Sequence, residues 1–201
     1  VGALEAPLPG YGVEEVLWQV QSHPGKPHIT LNGTVEEVYS QLLEINPNYE
    51  TDFGTIDQRV ERFKRDDYSV EVTTPRDLTK RENTICWNFQ ATIVWPINSG
   101  ITYLRGVPGQ PTNGPGPGNC GRVSCSYDSA IWWCNDVSVQ VYFFSFCLNQ
   151  NPTPKTLPSF NTIADAAQTI LNDCITWKSI GISGQRFHND NWNAIVKGDN
   201  C

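Results

Sequence analysis

Residues that could carry out acid–base chemistry are scarce after residue 81. The stretch Glu82–Cys201 contains one histidine, His188, and one glutamate, Glu82. A ribonuclease needs two acid–base groups close together, and His188 with Asp190 is the best available pair. A histidine beside a turn aspartate in a hairpin accounts for the same residues. Cys147 and His188 could imitate a thiol nucleophile and its base, yet nothing marks Cys147 as electropositive or exposed. We therefore favour a non-enzymatic protein and keep a small secreted hydrolase of the nuclease type as the alternative.

Carboxylate pairs and metal-binding motifs give no stronger signal. A glycosidase needs two nearby carboxylates. Asp128 and Asp136 share a face if they belong to one strand, but eight residues at roughly 3.4 Å each separate them by about 27 Å. No paired cysteine spacing is accompanied by histidine or by a second CxxC, so zinc is not expected. The sequence predicts no metal site and no cofactor.

Cysteine content and charge divide the chain at the same place. Residues 1–81 have 14 acidic and 8 basic residues and no cysteine, whereas residues 82–201 have 7 acidic and 6 basic residues and all seven cysteines. Such a cysteine density is typical of an oxidising compartment and predicts a secreted, extracellular protein. The formal net charge of −7 argues against nucleic-acid binding, because neutralising phosphates requires clustered lysine and arginine. No apolar run is long enough for a membrane span.

The junction between the two parts carries a dibasic pair, Lys80-Arg81. Secretory-pathway convertases cleave after such pairs, although most dibasic pairs are simply solvated charge. The position of this pair at the composition boundary favours cleavage. We expect residues 1–81 to be an acidic, cysteine-free pro-segment and residues 82–201 to be the cysteine-rich domain. The chain contains no methionine, which suggests that a signal peptide has been removed.

Hydrophobic periodicity predicts the elements of the second part. Pro96 suits the first turn of a helix whose apolar residues are Ile97, Ile101 and Leu104, although a strand over 100–107 is an alternative. Ser159 is a good N-cap for a second helix with a long apolar stripe. Residues 106–121 are rich in glycine and proline and predict a surface loop, 122–134 predict one long strand, and 184–197 predict a hairpin. Together these elements suggest an α+β fold, a two-layer sandwich of an antiparallel sheet and two helices stabilised by disulfides.

Six cysteines are expected to form three disulfides, with the pairing left open. On one strand, Cys125 and Cys134 would point to opposite faces and therefore have different partners. Cys147 ends an apolar, β-prone segment, Val137–Cys147, and is expected to be a free thiol. The six cysteines expected to be bridged are Cys86, Cys120, Cys125, Cys134, Cys174 and Cys201.

Two surface features complete the candidate sites. Asn32-Gly33-Thr34 is an N-glycosylation sequon, although Thr34 is also a candidate N-cap, with Glu37 completing a capping box. The tryptophans provide more aromatic area than one small core needs, and exposed aromatics often anchor protein or carbohydrate surfaces. Trp132 and Trp133 face opposite ways on a strand, which favours one in the core and the other at the surface, although packing of all the tryptophans inside or under loops is the open alternative. We take Trp132 and Trp192 as the candidate binding surface.

The cysteine-rich part resembles small secreted cysteine-rich proteins of filamentous fungi. The resemblance rests on four stretches, which are residues 119–136, 163–165 and 184–196 and the final Cys201. Among named families it is most similar to the necrosis-inducing effectors and to the killer toxin of smut fungi. The resemblance implies a compact α/β sandwich with several disulfides that acts on host or competitor cells without catalysis, in the killer toxin by interfering with calcium uptake. The implied partner is a host or competitor cell-surface or apoplastic protein; a cell-wall glycan is the alternative. No functional residue of that toxin aligns here, and the segment Val137–Cys147 departs from the pattern.

Overall fold

A computed structural model describes residues 4–62, 83–116, 118–136, 154–176 and 181–201 of this chain. The fold is mixed α+β, as predicted, and has two sheets. The helices are α1 (Val35–Ile45), α2 (Tyr49–Phe53), α3 (residues 56–62), α4 (Val94–Gly106) and α5 (Phe160–Cys174). The strands are β1 (Gly12–Val13), β2 (Leu17–Val20), β3 (Ile29–Asn32), β4 (Asn83–Cys86), β5 (Pro111–Asn113), β6 (Asn119–Ser126), β7 (Ser129–Asn135), β8 (Lys155–Thr156), β9 (Gly184–His188) and β10 (Trp192–Gly198).

The larger sheet has the strand order β1-β6-β7-β10-β9-β4 and is antiparallel except where β1 joins it. Helices α4 and α5 contact each other and pack on this sheet, α4 against β6 and β7 and α5 against β4, β9 and β10. The smaller sheet has the order β3-β2-β5-β8. This second sheet and the helices before residue 63 lie outside the single-sheet, two-helix sandwich that was predicted.

The two predicted helices are confirmed. Pro96 lies in the first turn of α4, and Ile97, Ile101 and Leu104 are buried, so the alternative strand over 100–107 is wrong. A Cβ on Gly100 would lie 2.2 Å from Ser124 Oγ, so glycine allows α4 to approach β6 closely. At the start of α5, the Ser159 side chain accepts a hydrogen bond from the backbone N–H of Asn161, as expected for an N-cap.

The predicted long strand over 122–134 is wrong, because the segment is a β-hairpin. Strands β6 and β7 pair antiparallel and are joined by Tyr127 and Asp128, whose φ angles are 48° and 55°. Positive φ at both central residues is the geometry of a type I′ turn, for which asparagine and glycine are the usual residues. Tyrosine and aspartate are not typical of this turn. The alternation of apolar and polar residues over 122–134 therefore predicts one continuous strand.

The cysteine-free part of the chain shares one core with the cysteine-rich part. Strand β1 extends the larger sheet beside β6, and β2 pairs with β5. The buried Trp18 ring stacks on Phe160 of α5 with 3.6 Å between ring centroids. Thr34 and Glu37 form the predicted capping box, and α1 packs against α4 and β6. The composition boundary near residue 81 therefore does not separate two cores, whereas Lys80-Arg81 itself lies outside the described residues.

The glycine- and proline-rich stretch is more ordered than a surface loop. Its residues 111–113 form β5, which joins β2 to β8, and Asn113 is buried with its amide donating to the Trp133 carbonyl oxygen. Gly109 has a φ of 150°, and a Cβ there would lie 2.8 Å from the Gln19 carbonyl oxygen. Proline and glycine thus place β5 against the cysteine-free part instead of keeping the stretch in solvent.

Three disulfides join the six cysteines that were expected to pair. Cys86–Cys174 connects β4 to α5, where Cys174 is buried, and Cys120–Cys134 crosses the β6–β7 hairpin. Cys125–Cys201 fastens the C-terminal residue to β6. Cys125 and Cys134 have different partners, as predicted, although they lie on two strands. Cys147 and the segment Val137–Cys147 lie outside the described residues.

Candidate functional site

The two tryptophans predicted to form a binding surface are both buried. Trp132 is 0% exposed and Trp192 is 2% exposed. The Trp192 ring stacks on His188 with 3.7 Å between centroids, and Trp192 belongs to the main core. This assignment of the binding surface is therefore wrong.

Trp132 is buried because the second face of the larger sheet is also covered. Parity correctly places Trp132 and Trp133 on opposite faces, and Trp133 packs in the main core. Around Trp132, however, Leu8, Tyr11 and Val13 pack over the sheet from the start of the chain. Its indole N–H donates to Asp199 Oδ2 at 2.8 Å. The face that was expected to be open is covered in part by residues of the predicted pro-segment, together with Phe89 of the cysteine-rich part.

Other aromatic side chains are exposed at one end of the larger sheet. Trp95, in the first turn of α4, is 53% exposed, and Tyr127, in the β6–β7 turn, is 70% exposed. Their ring centroids lie 4.6 Å apart with an interplanar angle of 57°. Ile93, the N-cap residue of α4, is 50% exposed. We call the surface formed by Ile93, Trp95 and Tyr127 the aromatic ledge.

Hydrogen bonds fix the ledge to the sheet. The Thr92 hydroxyl lies within hydrogen-bond distance of the Asp128 carbonyl oxygen, at 3.2 Å, and of the Ser129 hydroxyl. Thr92 also bridges to Ile182 through two backbone hydrogen bonds of 2.8 Å. The start of α4 is thereby tied to the turn that carries Tyr127. Two exposed rings held by a rigid support lose little conformational entropy when they bind a partner.

The chemistry of the ledge is apolar contact. Tryptophan and tyrosine are enriched among the residues that contribute most to protein interfaces. Tyr127 occupies the left-handed region with a φ of 48°, where a large side chain is uncommon. A turn of this type would accept asparagine or glycine more easily, so the turn carries its aromatic ring at a conformational cost. Asp128 is exposed beside it and adds a negative charge at the rim of the ledge.

The residues considered for catalysis have structural contacts. The His188 imidazole stacks on Trp192, and the Asp190 carboxylate lies 3.2 Å from Lys155 Nζ in an ion pair. Asp136 accepts hydrogen bonds from the Tyr11 hydroxyl, at 2.7 Å, and from the side-chain amide of Asn193. Burial, and secondarily the bond to Asp136, raises the pKa of Tyr11 to about 12. These contacts connect neighbouring strands and turns to one another.

Asn32, the sequon residue, lies exposed on β3 and donates its side-chain amide to Glu15 Oε2 at 2.7 Å. Thr34, the third sequon residue, is buried as the N-cap of α1. Use of the sequon stays a prediction.

A sequence signal for the ledge did exist. The apolar stripe of α4 contains Ile97, Ile101 and Leu104, and Trp95 is displaced from Ile97 by two residues, or roughly 200° around a helix of 3.6 residues per turn. Trp95 therefore lies off the buried stripe. The exposure of Tyr127 could not be derived while residues 122–134 were treated as one strand.

Comparison with protein-family models, with curated proteins and with solved structures gives no match for this chain. Within the described ranges, no helix has the length and apolar character needed to cross a membrane. The same ranges hold no cluster of three or more histidine, cysteine, aspartate or glutamate side chains arranged to bind a metal ion. The three disulfides are consistent with an extracellular protein.

Proposed function

We propose that this chain is a secreted, disulfide-bonded binding protein that acts without catalysis on a protein at the surface of host or competitor cells. The observation that carries the proposal is the exposed Trp95–Tyr127 pair, 53% and 70% accessible and fixed to the larger sheet. Soluble proteins rarely expose clustered large aromatics without an interaction to make. The resemblance to fungal effectors and to the killer toxin agrees with a role of this kind, as do the disulfides.

The proposal also includes the two-layer fold and the cleavage of the chain that the sequence predicts. A two-layer sandwich of the larger sheet with α4 and α5 within residues 83–201 is part of this proposal. Cleavage after Arg81 and a free Cys147 remain part of the proposal. Residues 1–81 contain no cysteine. A cut after Arg81 would therefore leave two chains held together by the shared core and not by a covalent link.

The test is binding of fluorescently labelled protein to target cells by the wild type and by a double variant, Trp95→Ala with Tyr127→Asn. Asparagine tolerates the positive φ of the turn, so the variant removes the rings without straining the backbone. We expect the double variant to lose at least about tenfold in affinity, since truncating an interface aromatic often costs 2 kcal/mol or more. Leu17→Ala, on the exposed face of β2, is the matched control and should bind like the wild type. Equal binding by the double variant and the wild type would refute the proposal.

Two further measurements separate the alternatives. His188→Ala in a folded protein should leave biological activity unchanged, whereas loss of activity would favour the nuclease-type hydrolase. A pull-down on insoluble cell-wall polysaccharide that depends on Trp95 and Tyr127 would instead support a carbohydrate-binding wall module.

A further inference from the structure

We propose that a second site, at the opposite end of α4 from the aromatic ledge, binds a phosphate monoester carried by a small molecule. The site is a cavity of about 610 Å³ between α3, the C-terminal end of α4 and the N-terminal end of α5. Among the described residues, its lining includes three arginines, Arg59, Arg62 and Arg105, and no acidic side chain. This inference is independent of the ledge and of the proposed target.

Arg59 is the central observation. Its side chain is nine-tenths buried, and Nε and both terminal guanidinium nitrogens have no hydrogen-bond partner within the described part of the chain. Its guanidinium carbon lies 5.7 Å from the centroid of the Tyr39 ring and 5.0 Å from that of Tyr49. Cation–π contact offsets part of the cost of burying this charge, but it satisfies none of the N–H donors. Within the described residues these five N–H donors have no hydrogen-bond partner, and an anion is the kind of group that would satisfy them.

The remaining groups strengthen the positive character of the cavity. Arg62 lies on α3 and is exposed to the same space. Arg105, in the last turn of α4, donates from one terminal nitrogen to Asp165 at 2.8 Å, while its buried Nε has no partner among the described residues. Pro158, Ser159 and Asn161 belong to the start of α5, a helix of 15 residues. The N-terminus of such a helix carries partial positive charge and favours anions.

Charge and shape favour a phosphate monoester over a carboxylate. Among the described residues, Asp165 is the carboxylate that pairs with one of the three arginines, and the two remaining positive charges match a phosphate monoester at neutral pH. Three guanidinium groups from two helices, α3 and α4, can reach different oxygens of one tetrahedral group, whereas a planar carboxylate presents only two. The apolar part of the lining, Phe53, Val107 and Pro108, offers a surface for the organic body of the ligand. A cavity of this volume accommodates a small molecule.

The experiment is isothermal titration calorimetry of the full chain with phenyl phosphate at constant ionic strength, with sulfate and acetate as comparison anions. We expect phenyl phosphate to bind and acetate to bind at least about tenfold more weakly, because fewer charge-assisted hydrogen bonds form. Arg59→Met should abolish phenyl phosphate binding. Its thermal midpoint without ligand should equal or exceed that of the wild type, because the buried charge is removed. Arg122→Met removes one positive charge on β6, away from the cavity lining, and should leave binding unchanged.

Arg62→Gln provides the second test if Arg59→Met does not fold, since Arg62 is exposed and its replacement should not disturb packing. We expect this variant to weaken phenyl phosphate binding by about tenfold through loss of charge-assisted bonds. Absence of binding by the wild type, equal affinity in Arg62→Gln and wild type, or acetate or sulfate binding as tightly as phenyl phosphate would each overturn the assignment. Loss of phosphate binding with unchanged cell binding would leave the aromatic-ledge proposal intact.

Discussion

Residues 4–62 and the described parts of residues 83–201 contribute to the same core but are held in place by different means. The later region has three disulfides, two of which close sequence separations of 88 and 76 residues. The earlier region has none and depends on packing and hydrogen bonds, chiefly Trp18 on Phe160 and the Glu36 carboxylate on Ser124. The change in composition near residue 81 thus marks a change in how elements are fastened. It is not where one folded unit ends and another begins.

The two proposed binding sites differ in which of these regions supplies their residues. The aromatic ledge is built entirely from residues of the later region, the described parts of residues 83–201, which we call the disulfide-linked region. The cavity lined by Arg59, Arg62 and Arg105 needs both regions. Arg59 and Arg62 come from the cysteine-free region, whereas Arg105 and the start of α5 come from the disulfide-linked region. Loosening the cysteine-free region should therefore abolish anion binding before it affects the ledge.

The largest expected effect comes from removing the main packing contact between the regions. Trp18→Ala deletes a fully buried ring that stacks on Phe160 and donates its indole N–H to the Gly33 carbonyl oxygen at 2.9 Å. We expect the free energy of unfolding to fall by about 3–5 kcal/mol, as for other large-to-small changes of buried aromatics. Urea denaturation followed by tryptophan fluorescence and by circular dichroism measures the loss.

Leu17→Ala is the matched control, because Leu17 is the neighbouring residue on β2 and is 46% exposed. Its effect on the free energy of unfolding should stay within about 0.5 kcal/mol. If Trp18→Ala were as mild as this control, the two regions would not share a core in solution.

A smaller effect should come from Glu36, which connects α1 to β6. The Glu36 carboxylate accepts hydrogen bonds from Ser124 Oγ at 2.6 Å and from the Cys125 backbone N–H at 3.4 Å. Burial raises the pKa of Glu36 above its ordinary value of 4.5, and these hydrogen bonds lower it only in part. A carboxyl with a raised pKa binds more protons in the folded state, so its contribution to stability falls as pH rises from 4.5 through the folded pKa.

The measurement is the free energy of unfolding of the wild type and of Glu36→Gln across this pH range. The stability of the wild type relative to the variant should decline with rising pH, by no more than about 1.4 kcal/mol per pH unit. Glu44→Gln, on the same helix and exposed, controls for the loss of one negative charge. A difference between wild type and Glu36→Gln that does not change with pH would contradict this role.

Local sequence patterns predicted the elements of the disulfide-linked region well. The stripes of α4 and α5, the N-cap Ser159 and the hairpin of β9 and β10 are properties of short segments, and the structure confirms them. The β6–β7 turn was missed because Tyr127 and Asp128 lack the glycine or asparagine that usually marks such a turn.

The candidate sites depended on packing between distant segments, which periodicity does not report. Trp132 was expected to be exposed, yet Leu8 and Tyr11, more than a hundred positions earlier in the chain, help to cover it. Arg59 gives no sequence signal, because arginines on a helix are ordinarily solvated. Its guanidinium becomes a candidate anion site through packing with other helices, against Tyr39 and Tyr49 and beside the ends of α4 and α5.

Native-state hydrogen exchange read by mass spectrometry tests most directly the claim that both regions form one folded unit. Under low concentrations of denaturant, amides of β2 and α1 should exchange through the same global unfolding as amides of β7 and β10, with the same free energy. The predicted result is that amides of all four elements become exchangeable together, at the same free energy of opening. Exchange of β2 and α1 at a much lower free energy, while β7 and β10 stay protected, would show that the cysteine-free region opens by itself and would contradict the account.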